Sequence, residues 1–319
     1  MTRVAILDDY QNVALQMADW QSLGSAVAVE VFHDTLSDQD ALAERLGDFE
    51  IVVAMRERTP FRGPLLERLG KLKLLITTGM RNASIDLKAA AERGVIVCGT
   101  DVVSSPTVEL TWGLILALAR HISREDQGMR SGRWQTTVGI GLEGRVLGLL
   151  GLGNLGSRVA AIGKAFQMRM IAWSENLTAE RANSLGVERV EKEELFRQAD
   201  FLSIHMVLSK RSRGLVDAPE LAAMKPIAYL INTSRGPIVN EKALIAALDS
   251  HKIAGAALDV YDQEPLPADH PLRRLDNVVL TPHLGYVTVE NYREMYAQAI
   301  EDIRAFLDGK PLRIISALY

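Results

Sequence analysis

The sequence holds one cysteine, Cys98, among 319 residues, so no disulfide can form within the chain. That fits a reducing compartment, and Cys98 closes the apolar run Val95–Val97, as a buried strand residue would. Long apolar runs are also missing: none reaches the roughly 20 residues that a membrane-spanning helix needs. The first residues, MTRVAILDDY, place acids where a secretory signal carries its apolar core. No charge of one sign dominates. With 36 basic and 40 acidic residues the net charge is −4, which argues against nucleic acid or an anionic membrane as the main partner. The 6 histidines never pair at a spacing such as H-x-x-x-H, so no metal is expected. Repeats, low-complexity segments and long charge runs are absent as well. These absences together point to a cytoplasmic protein without a nucleic-acid, membrane or metal partner.

What is present is ordinary α/β composition, 48% hydrophobic and 24% charged, over a length that favours two domains. The chain is organised around residues 145–166, RVLGLLGLGNLGSRVAAIGKAF. Val146–Leu150 has the length of a buried parallel strand. Gly151, Gly153 and Gly156 follow in the spacing G-x-G-x-x-G, and Val159, Ile162 and Phe166 then recur at helical spacing. A pyrophosphate needs that order of strand, glycine turn and helix. The first glycine makes the tight turn, the second lets the backbone approach the phosphates, and the third lets helix and strand pack closely. The free N–H groups at the start of the helix, from Asn154 and Leu155 onward, then face the phosphate charge.

A whole unit precedes this motif. Val4–Leu7, Val27–Phe32, Ile51–Ala54, Leu74–Thr77 and Val95–Cys98 read as strands, separated by helical patterns such as Ala41–Leu46 and Leu65–Leu69. Such alternation predicts a parallel sheet covered on both faces. Ser105 and Pro106 open a helix through Leu118 that is apolar nearly all round, and a helix of that kind is buried on every side, at a domain junction or a subunit interface. The arginine-rich stretch HISREDQGMRSGRWQT follows. Six further strands are expected at Val146–Leu150, Met170–Trp173, Phe201–Ile204, Ile227–Ile231, Ala254–Leu258 and Val278–Leu280, enough for a doubly wound dinucleotide-binding sheet. The last helix, about Val289 to Leu307, carries an apolar stripe of Tyr292, Met295, Tyr296, Ala299, Ile300, Ile303 and Phe306. Too short to be a domain, it should dock on the first one. The expected fold is therefore α/β, with a Rossmann dinucleotide-binding domain over 105–287 inserted in a flavodoxin-like substrate domain made of 1–104 and 288–319.

In open α/β sheets ligands lie beyond the carboxyl ends of the strands. Three ionisable residues stand at such ends in the second half: Arg235 in INTSRGP, Glu264 in LDVYDQEP and His283 in VVLTPHLG. His205 ends a strand in FLSIHM, and His33 does so in the first domain. The three suit one reaction. Reducing a 2-keto acid sends a hydride to the carbonyl carbon while an acid protonates the oxygen. An imidazolium can supply that proton near neutral pH, a neighbouring carboxylate favours the charged ring, and a guanidinium forks onto carboxylate and carbonyl oxygens.

On these residues the chain resembles the D-isomer-specific 2-hydroxyacid dehydrogenase family, which includes glyoxylate and hydroxypyruvate reductases and phosphoglycerate dehydrogenase. The resemblance covers nearly the whole length: TTGMRNASID at 77–86, GLGNLG at 151–156, INTSRGPIVN at 231–240, AALDVYDQEPLP at 256–267 and TPHLGY at 281–286. It implies that Arg235 binds substrate and that His283 is the acid/base with Glu264 as its partner. Asp259 would hold the nicotinamide carboxamide, and Thr233 and Ser234 would line that side through their backbone. Backbone N–H groups of Gly79, Met80 and Arg81 would take the substrate carboxylate. Arg56, Tyr286, Tyr10 and, from a second subunit, Trp134 are candidates for the pocket. The family forms homodimers through the apolar helix and the loop after it.

Some positions depart from the family pattern. The acid expected roughly 20 positions past the glycine loop, for the ribose 2′-hydroxyl, is replaced by Ser174, with Glu175 one place on and Arg181 as the nearest cation. Both NAD and NADP stay open, with a lean to NAD. Val207 stands where the family has proline. The sequence stops after the last helix, without the regulatory extension of some phosphoglycerate dehydrogenases, which favours a glyoxylate- or hydroxypyruvate-type substrate. The expected function is hydride transfer between a nicotinamide cofactor and a small 2-keto or D-2-hydroxy acid. A nucleotide-sensing co-repressor-like scaffold and a formate dehydrogenase are the alternatives; formate dehydrogenase has glutamine where Glu264 stands.

Overall fold

A computed structural model describes residues 1–316. The chain divides into two compact units, one of Met1–Val103 together with the segment from Val287 onward, the other of Ser104–Tyr286.

The first unit is a parallel sheet of β1 (Thr2–Ile6), β2 (Val27–Val31), β3 (Ile51–Ala54), β4 (Leu74–Thr77) and β5 (Ile96–Gly99), in the order β2-β1-β3-β4-β5. That is the flavodoxin-like order. β3 and β4 are buried along their length and β2 is a half-exposed edge, so the inner strands read as unbroken apolar runs. Helices Gln39–Leu46 and Leu87–Glu92 begin where Asp38 and Asp86 accept the N–H groups of Ala41 and Ala89 at 2.8 and 3.0 Å, the usual aspartate cap. The C-terminal helix, Val289–Leu307, starts at the Thr288 cap and buries the expected stripe except for half-buried Phe306, with Tyr296 edge-on to Trp20 at 5.8 Å.

Beyond that helix the chain returns to the sheet. Ile314 bridges antiparallel to Cys98, with Arg313 O accepting from Gly99 N at 3.0 Å and Ile315 N donating to Val97 O at 2.8 Å. Arg313 fastens this return: its guanidinium lies 3.0 Å from fully buried Asp302, 3.0 Å from Glu301 and 2.9 Å from Gln298 O. Burial pushes the Asp302 carboxyl up to about 6 against the opposing pull of Arg313.

The second unit is a seven-stranded parallel sheet: β6 (Val146–Leu150), β7 (Arg169–Trp173), β8 (Glu188–Arg189), β9 (Phe201–Ile204), β10 (Tyr229–Asn232), β11 (Gly255–Leu258) and β12 (Val278–Leu280). Their order is β12-β11-β10-β9-β6-β7-β8, the doubly wound arrangement, which reverses at β6. Leu147 and Leu149 of β6 face one apolar layer, with Trp112, Ile115 and Leu118, while Leu150 faces the other, with Leu202, Leu230 and Ala256. Helix α1 (Ser105–Ala119) lies in the first layer, where Trp112 stacks on Phe166 at 4.9 Å. Helices α2 (Ile122–Arg130) and α3 (Asn154–Ala165) complete the part that matters below.

Two expectations are corrected. The sheet has a seventh strand, β8, whose two charged residues carry no apolar signal. And α1 is not buried on every side: Glu109 and Gly113 are exposed and Leu110, Leu116 and Ala117 half-buried, one helical stripe left uncovered in the single chain.

The Arg313 anchor yields a prediction. In R313M the Asp302 carboxylate keeps its burial and loses its cation, which costs on the order of 3–5 kcal/mol for a broken buried pair. Because the Asp302 pKa is raised, its charged form is the one the fold disfavours, so the deficit should grow as pH rises past about 6. Urea unfolding of both proteins at pH 5 and pH 8 checks this; an equal deficit at both pH values counts against it.

Candidate active site

The glycine loop of the second unit has the geometry that a dinucleotide demands. Gly151 takes φ +104°, and a Cβ there would sit 2.6 Å from His205 O. A Cβ on Gly156 would meet Gly151 O at 2.2 Å, so only glycine lets α3 pack this closely on β6. Around Gly153 nothing lies within 4 Å of the position of a Cβ, which leaves open space before the first N–H groups of α3, those of Asn154 and Leu155. The residues therefore fit a bound pyrophosphate. At the end of β7, half-buried Ser174 precedes exposed Glu175, whose carboxylate pairs with Arg211 at 3.2 Å. Arg181 is exposed on its helix and Val207 lies exposed in the loop after β9. His205 Nε2 meets Ser203 Oγ at 2.9 Å, while its Nδ1 is buried with no hydrogen-bond partner among the described residues. Burial pushes this imidazole down to about 4, so the ring is neutral at physiological pH.

Neighbouring strands β10, β11 and β12 deliver the ionisable set. Past β10, Asn232 makes an Asx turn: its Oδ1 accepts Ser234 N and its Nδ2 donates to Arg235 O, both at 3.0 Å. Ser234 Oγ donates to Ile204 O at 2.7 Å, and Arg235 Nη1 to Ser234 O at 2.7 Å. Past β11, Asp259 is wholly buried and accepts from Thr281 Oγ1 (2.6 Å), Leu284 N (2.7 Å) and Gly285 N (2.9 Å). Burial raises its pKa, and these donors together with His283 pull against the rise.

Glu264 and His283 meet at 2.5 Å, Oε2 to Nδ1. The other carboxylate oxygen accepts Tyr261 N at 2.9 Å, so both oxygens are occupied and Nε2 is the ring nitrogen left outside the pair. Burial acts to raise the Glu264 pKa, but the hydrogen bond and charge of His283, the Tyr261 N–H and the charge of Arg235 outweigh it and hold the carboxyl below the usual range. His283 itself sits at φ +55°, a left-handed conformation that costs a non-glycine residue about 1–3 kcal/mol. Tyr286 is buried edge-on to His283 at 5.7 Å.

In the first unit, Gly79 is buried at φ +119°, with Met80 and Arg81 exposed beside it. Arg56, also left-handed at φ +52°, donates from Nη1 to Thr78 O at 2.8 Å, and a Cβ on Gly79 would strike that guanidinium. Tyr10 is 41% exposed with Arg58 stacked 4.7 Å over its ring. Trp134 is 73% exposed after α2.

Asn232, Tyr261 and Thr281 escaped the sequence reading. Tyr261 Oη donates to Leu258 O and lies 2.9 Å from Thr281 O, joining the ends of β11 and β12. Their only signal was position: each stands at or just past a strand end, within two residues of one already singled out.

Fold and ionisable set define a nicotinamide-dependent oxidoreductase of the doubly wound α/β class. The model of the D-isomer specific 2-hydroxyacid dehydrogenase, NAD binding domain, matches residues 112–285, and the chain belongs to that family. The glyoxylate reductase of Aeropyrum pernix is 41% identical over 256 residues, 77% of this chain and 76% of that protein. The hydroxypyruvate reductase of Thermotoga maritima is 36% identical over 307 residues, 94% of this chain and 97% of that protein. A crystal structure of a phosphoglycerate oxidoreductase from Vibrio cholerae matches with a TM-score of 0.92 at 38% identity, covering 97% of this chain and 100% of that one. Of a D-3-phosphoglycerate dehydrogenase from Methanocaldococcus jannaschii, 38% identical, the chain spans about half the length, 52%. The chain is thus a dehydrogenase of the D-2-hydroxyacid family acting on a CH–OH group with a nicotinamide cofactor, and none of its described helices is long and apolar enough to cross a membrane.

The buried histidine gives a pH prediction. The folded-state pKa of His205, about 4, lies below the ordinary 6.5. The unfolded chain therefore binds the proton more readily, and stability is lost as pH falls from 6.5 toward 4. H205Q should flatten that part of the stability profile, read by thermal unfolding between pH 7 and pH 4; an unaltered slope would mean that other groups carry the acid sensitivity.

Proposed function

We propose that this enzyme reduces small 2-keto acids of the glyoxylate or hydroxypyruvate type to the corresponding D-2-hydroxy acids. The observation that carries this reading is the 2.5 Å Glu264–His283 pair at the end of β12, beside Arg235 at the end of β10. Glu264 fixes Nδ1 as the nitrogen facing the carboxylate, so Nε2 of the protonated ring gives its proton to the carbonyl oxygen as reduction proceeds. Arg235 pairs with the substrate carboxylate and polarises the carbonyl. By the family resemblance, the backbone N–H groups of Gly79, Met80 and Arg81 are candidates for a substrate carboxylate, and Arg56 and Tyr286 for pocket residues. A bound nicotinamide cofactor supplies or receives the hydride; Gly151, Gly153, Asn154, Leu155 and Gly156 would hold its pyrophosphate, and Thr233, His205 and Asp259 its nicotinamide side.

Cofactor choice turns on Ser174 and Glu175. Glu175 stands one residue past Ser174, available for a ribose 2′-hydroxyl, and supports NAD. Its pairing with Arg211 puts a cation in the same neighbourhood, which a 2′-phosphate would use. The uncovered stripe of α1, with exposed Ile122, Met129, Trp134 and Val138 on α2 and after it, supports a homodimer through this face. A reducing, cytoplasmic setting suits buried Cys98, whose thiol burial pushes up to about 12.

Loss of NADH or NADPH absorbance with glyoxylate, hydroxypyruvate, pyruvate, 2-ketoisocaproate and phenylpyruvate tests the reading, with turnover of a small keto acid expected. H283A should lower kcat by about 10²–10⁴-fold, the usual worth of a general acid, with reduced-cofactor binding unchanged by fluorescence. Retained turnover would refute the role of His283, and a silent panel with intact cofactor binding would favour a sensing scaffold. E264Q removes the anionic neighbour of the imidazole and should shift the alkaline fall-off of keto-acid reduction to lower pH; an identical pH profile would count against the pairing.

A further inference from the structure

Helix α1 carries few polar residues, and two of them, Thr107 and Thr111, lie one turn apart on the face turned into the second unit. Both have their hydroxyls committed. Thr107 Oγ1 donates to Gly285 O at 2.8 Å, and Thr111 Oγ1 donates to Thr107 O at 2.8 Å. Thr111 Oγ1, wholly buried, also lies 2.9 Å from Thr233 Oγ1. A hydroxyl has one hydrogen. That of Thr111 is spent on the carbonyl one turn back, so Thr233 must be the donor between the two threonines. The result is a directed chain from the Thr233 hydroxyl to the Thr111 hydroxyl to the Thr107 carbonyl, with the Thr107 hydroxyl continuing to the Gly285 carbonyl.

The two ends of this chain lie on different loops. Thr233 stands two residues before Arg235 in the turn after β10. Gly285 stands two residues after His283, and its N–H is already fastened to Asp259. The fit at Gly285 is tight: a Cβ there would meet Asp259 Oδ2 at 3.2 Å and Thr107 Oγ1 at 3.3 Å. Gly285 is therefore gripped on one side by the buried carboxylate and on the other by α1.

We propose that Thr107 and Thr111 are positioning residues that set the Arg235 loop and the His283 loop in register with each other through one turn of α1. Neither touches the reacting atoms. Their effect rests on the proposed reading, in which Arg235 orients the keto acid while His283 delivers the proton, and proton and hydride transfer are sensitive to small displacements of such groups. The same helix leaves its opposite stripe, with Glu109 and Gly113, uncovered in the single chain. The register thus depends on a helix that the proposed homodimer would cover from behind.

The test compares T107V and T111V, which remove the hydroxyl and keep the branched shape, with T107S and T111S, which keep the hydroxyl. Steady-state kinetics on the keto acid that the wild type turns over best, cofactor binding by fluorescence, and the primary isotope effect with 4-deuterated reduced cofactor are measured on all four. The valine variants should lose about tenfold in kcat/KM, equivalent to about 1.4 kcal/mol in the barrier. Their cofactor binding should stay unchanged and their isotope effect should rise, while the serine variants behave like the wild type. Folded valine variants with wild-type kinetics would overturn the proposal. So would serine variants that fall as far as the valine ones, since packing of the methyl group would then be what matters. Should a valine variant fail to fold, the alanine variant takes its place. Amide hydrogen exchange at Leu284, Gly285 and Ser234 reads the register without turnover: faster exchange is expected in the valine variants only, and unchanged exchange overturns the proposal even if the wild type reduces no keto acid. Absence of wild-type turnover by itself would strike the proposed function and leave the exchange result to decide the register.

Discussion

The second unit depends on the carboxylate of Asp259. It is buried completely, at the end of a fully buried strand, and accepts three hydrogen bonds from the β12 loop. An uncompensated carboxylate in such a place would be very costly. The loop pays that cost by turning its Leu284 and Gly285 N–H groups inward, and this folds the chain back at His283 and holds the ring residue left-handed. Burial acts to raise the carboxyl pKa, so the donors that bring it back toward its usual range are the same contacts that shape the loop. The position of the proposed acid/base is in this sense a consequence of how one buried charge is satisfied.

Left-handed backbone occurs after several strands of both sheets. In the first unit Asp8, Arg56 and Gly79 follow β1, β3 and β4 with φ of 61°, 52° and 119°; in the second, Gly151 and His283 follow β6 and β12 with φ of 104° and 55°. A strand that must end abruptly, so that the next residue faces a ligand rather than continuing the ladder, needs such a turn. Glycine adopts it freely, while aspartate, arginine and histidine hold it only where the surroundings fix them. For Asp8 those surroundings are Thr35 and Thr59, whose hydroxyls donate to its buried carboxylate. For His283 they are Glu264 and the Asp259-bound loop. Strain is spent where function is proposed.

Much of this was legible in the sequence because it rests on local rules. Unbroken apolar runs disclosed the buried strands, and the glycine spacing disclosed the turn whose geometry only glycine permits. Arg235, Glu264 and His283 were legible as ionisable residues in the loops that follow strands. What stayed hidden depends on partners distant in sequence. β8 consists of a glutamate and an arginine, paired to β7 by its backbone and by the Arg169–Glu188 ion pair at 2.8 Å. The exposed stripe of α1 could not be told from its buried face, since leucine and alanine occur on both. Thr107 and Thr111 carry no signal in an apolar helix, because their partners Gly285 and Thr233 lie more than a hundred residues away in the chain.

Substrate identity resists the same reading for a physical reason. In the proposed reading, proton delivery and carboxylate binding use groups that every 2-keto acid requires, so Arg235 and His283 carry no information about what lies beyond the carbonyl. Discrimination between glyoxylate and a larger keto acid rests on the volume and polarity left around one substituent, a difference of about 1–3 kcal/mol for a methylene. The pocket candidates Tyr10 and Arg56 carry side chains whose chemistry suits several substituents. The cofactor question has the same form. Glu175 and Arg211 neutralise one another in an exposed pair worth at most about 1 kcal/mol, so either partner is released cheaply, and the relative standing of a ribose hydroxyl and a phosphate is set by that small difference.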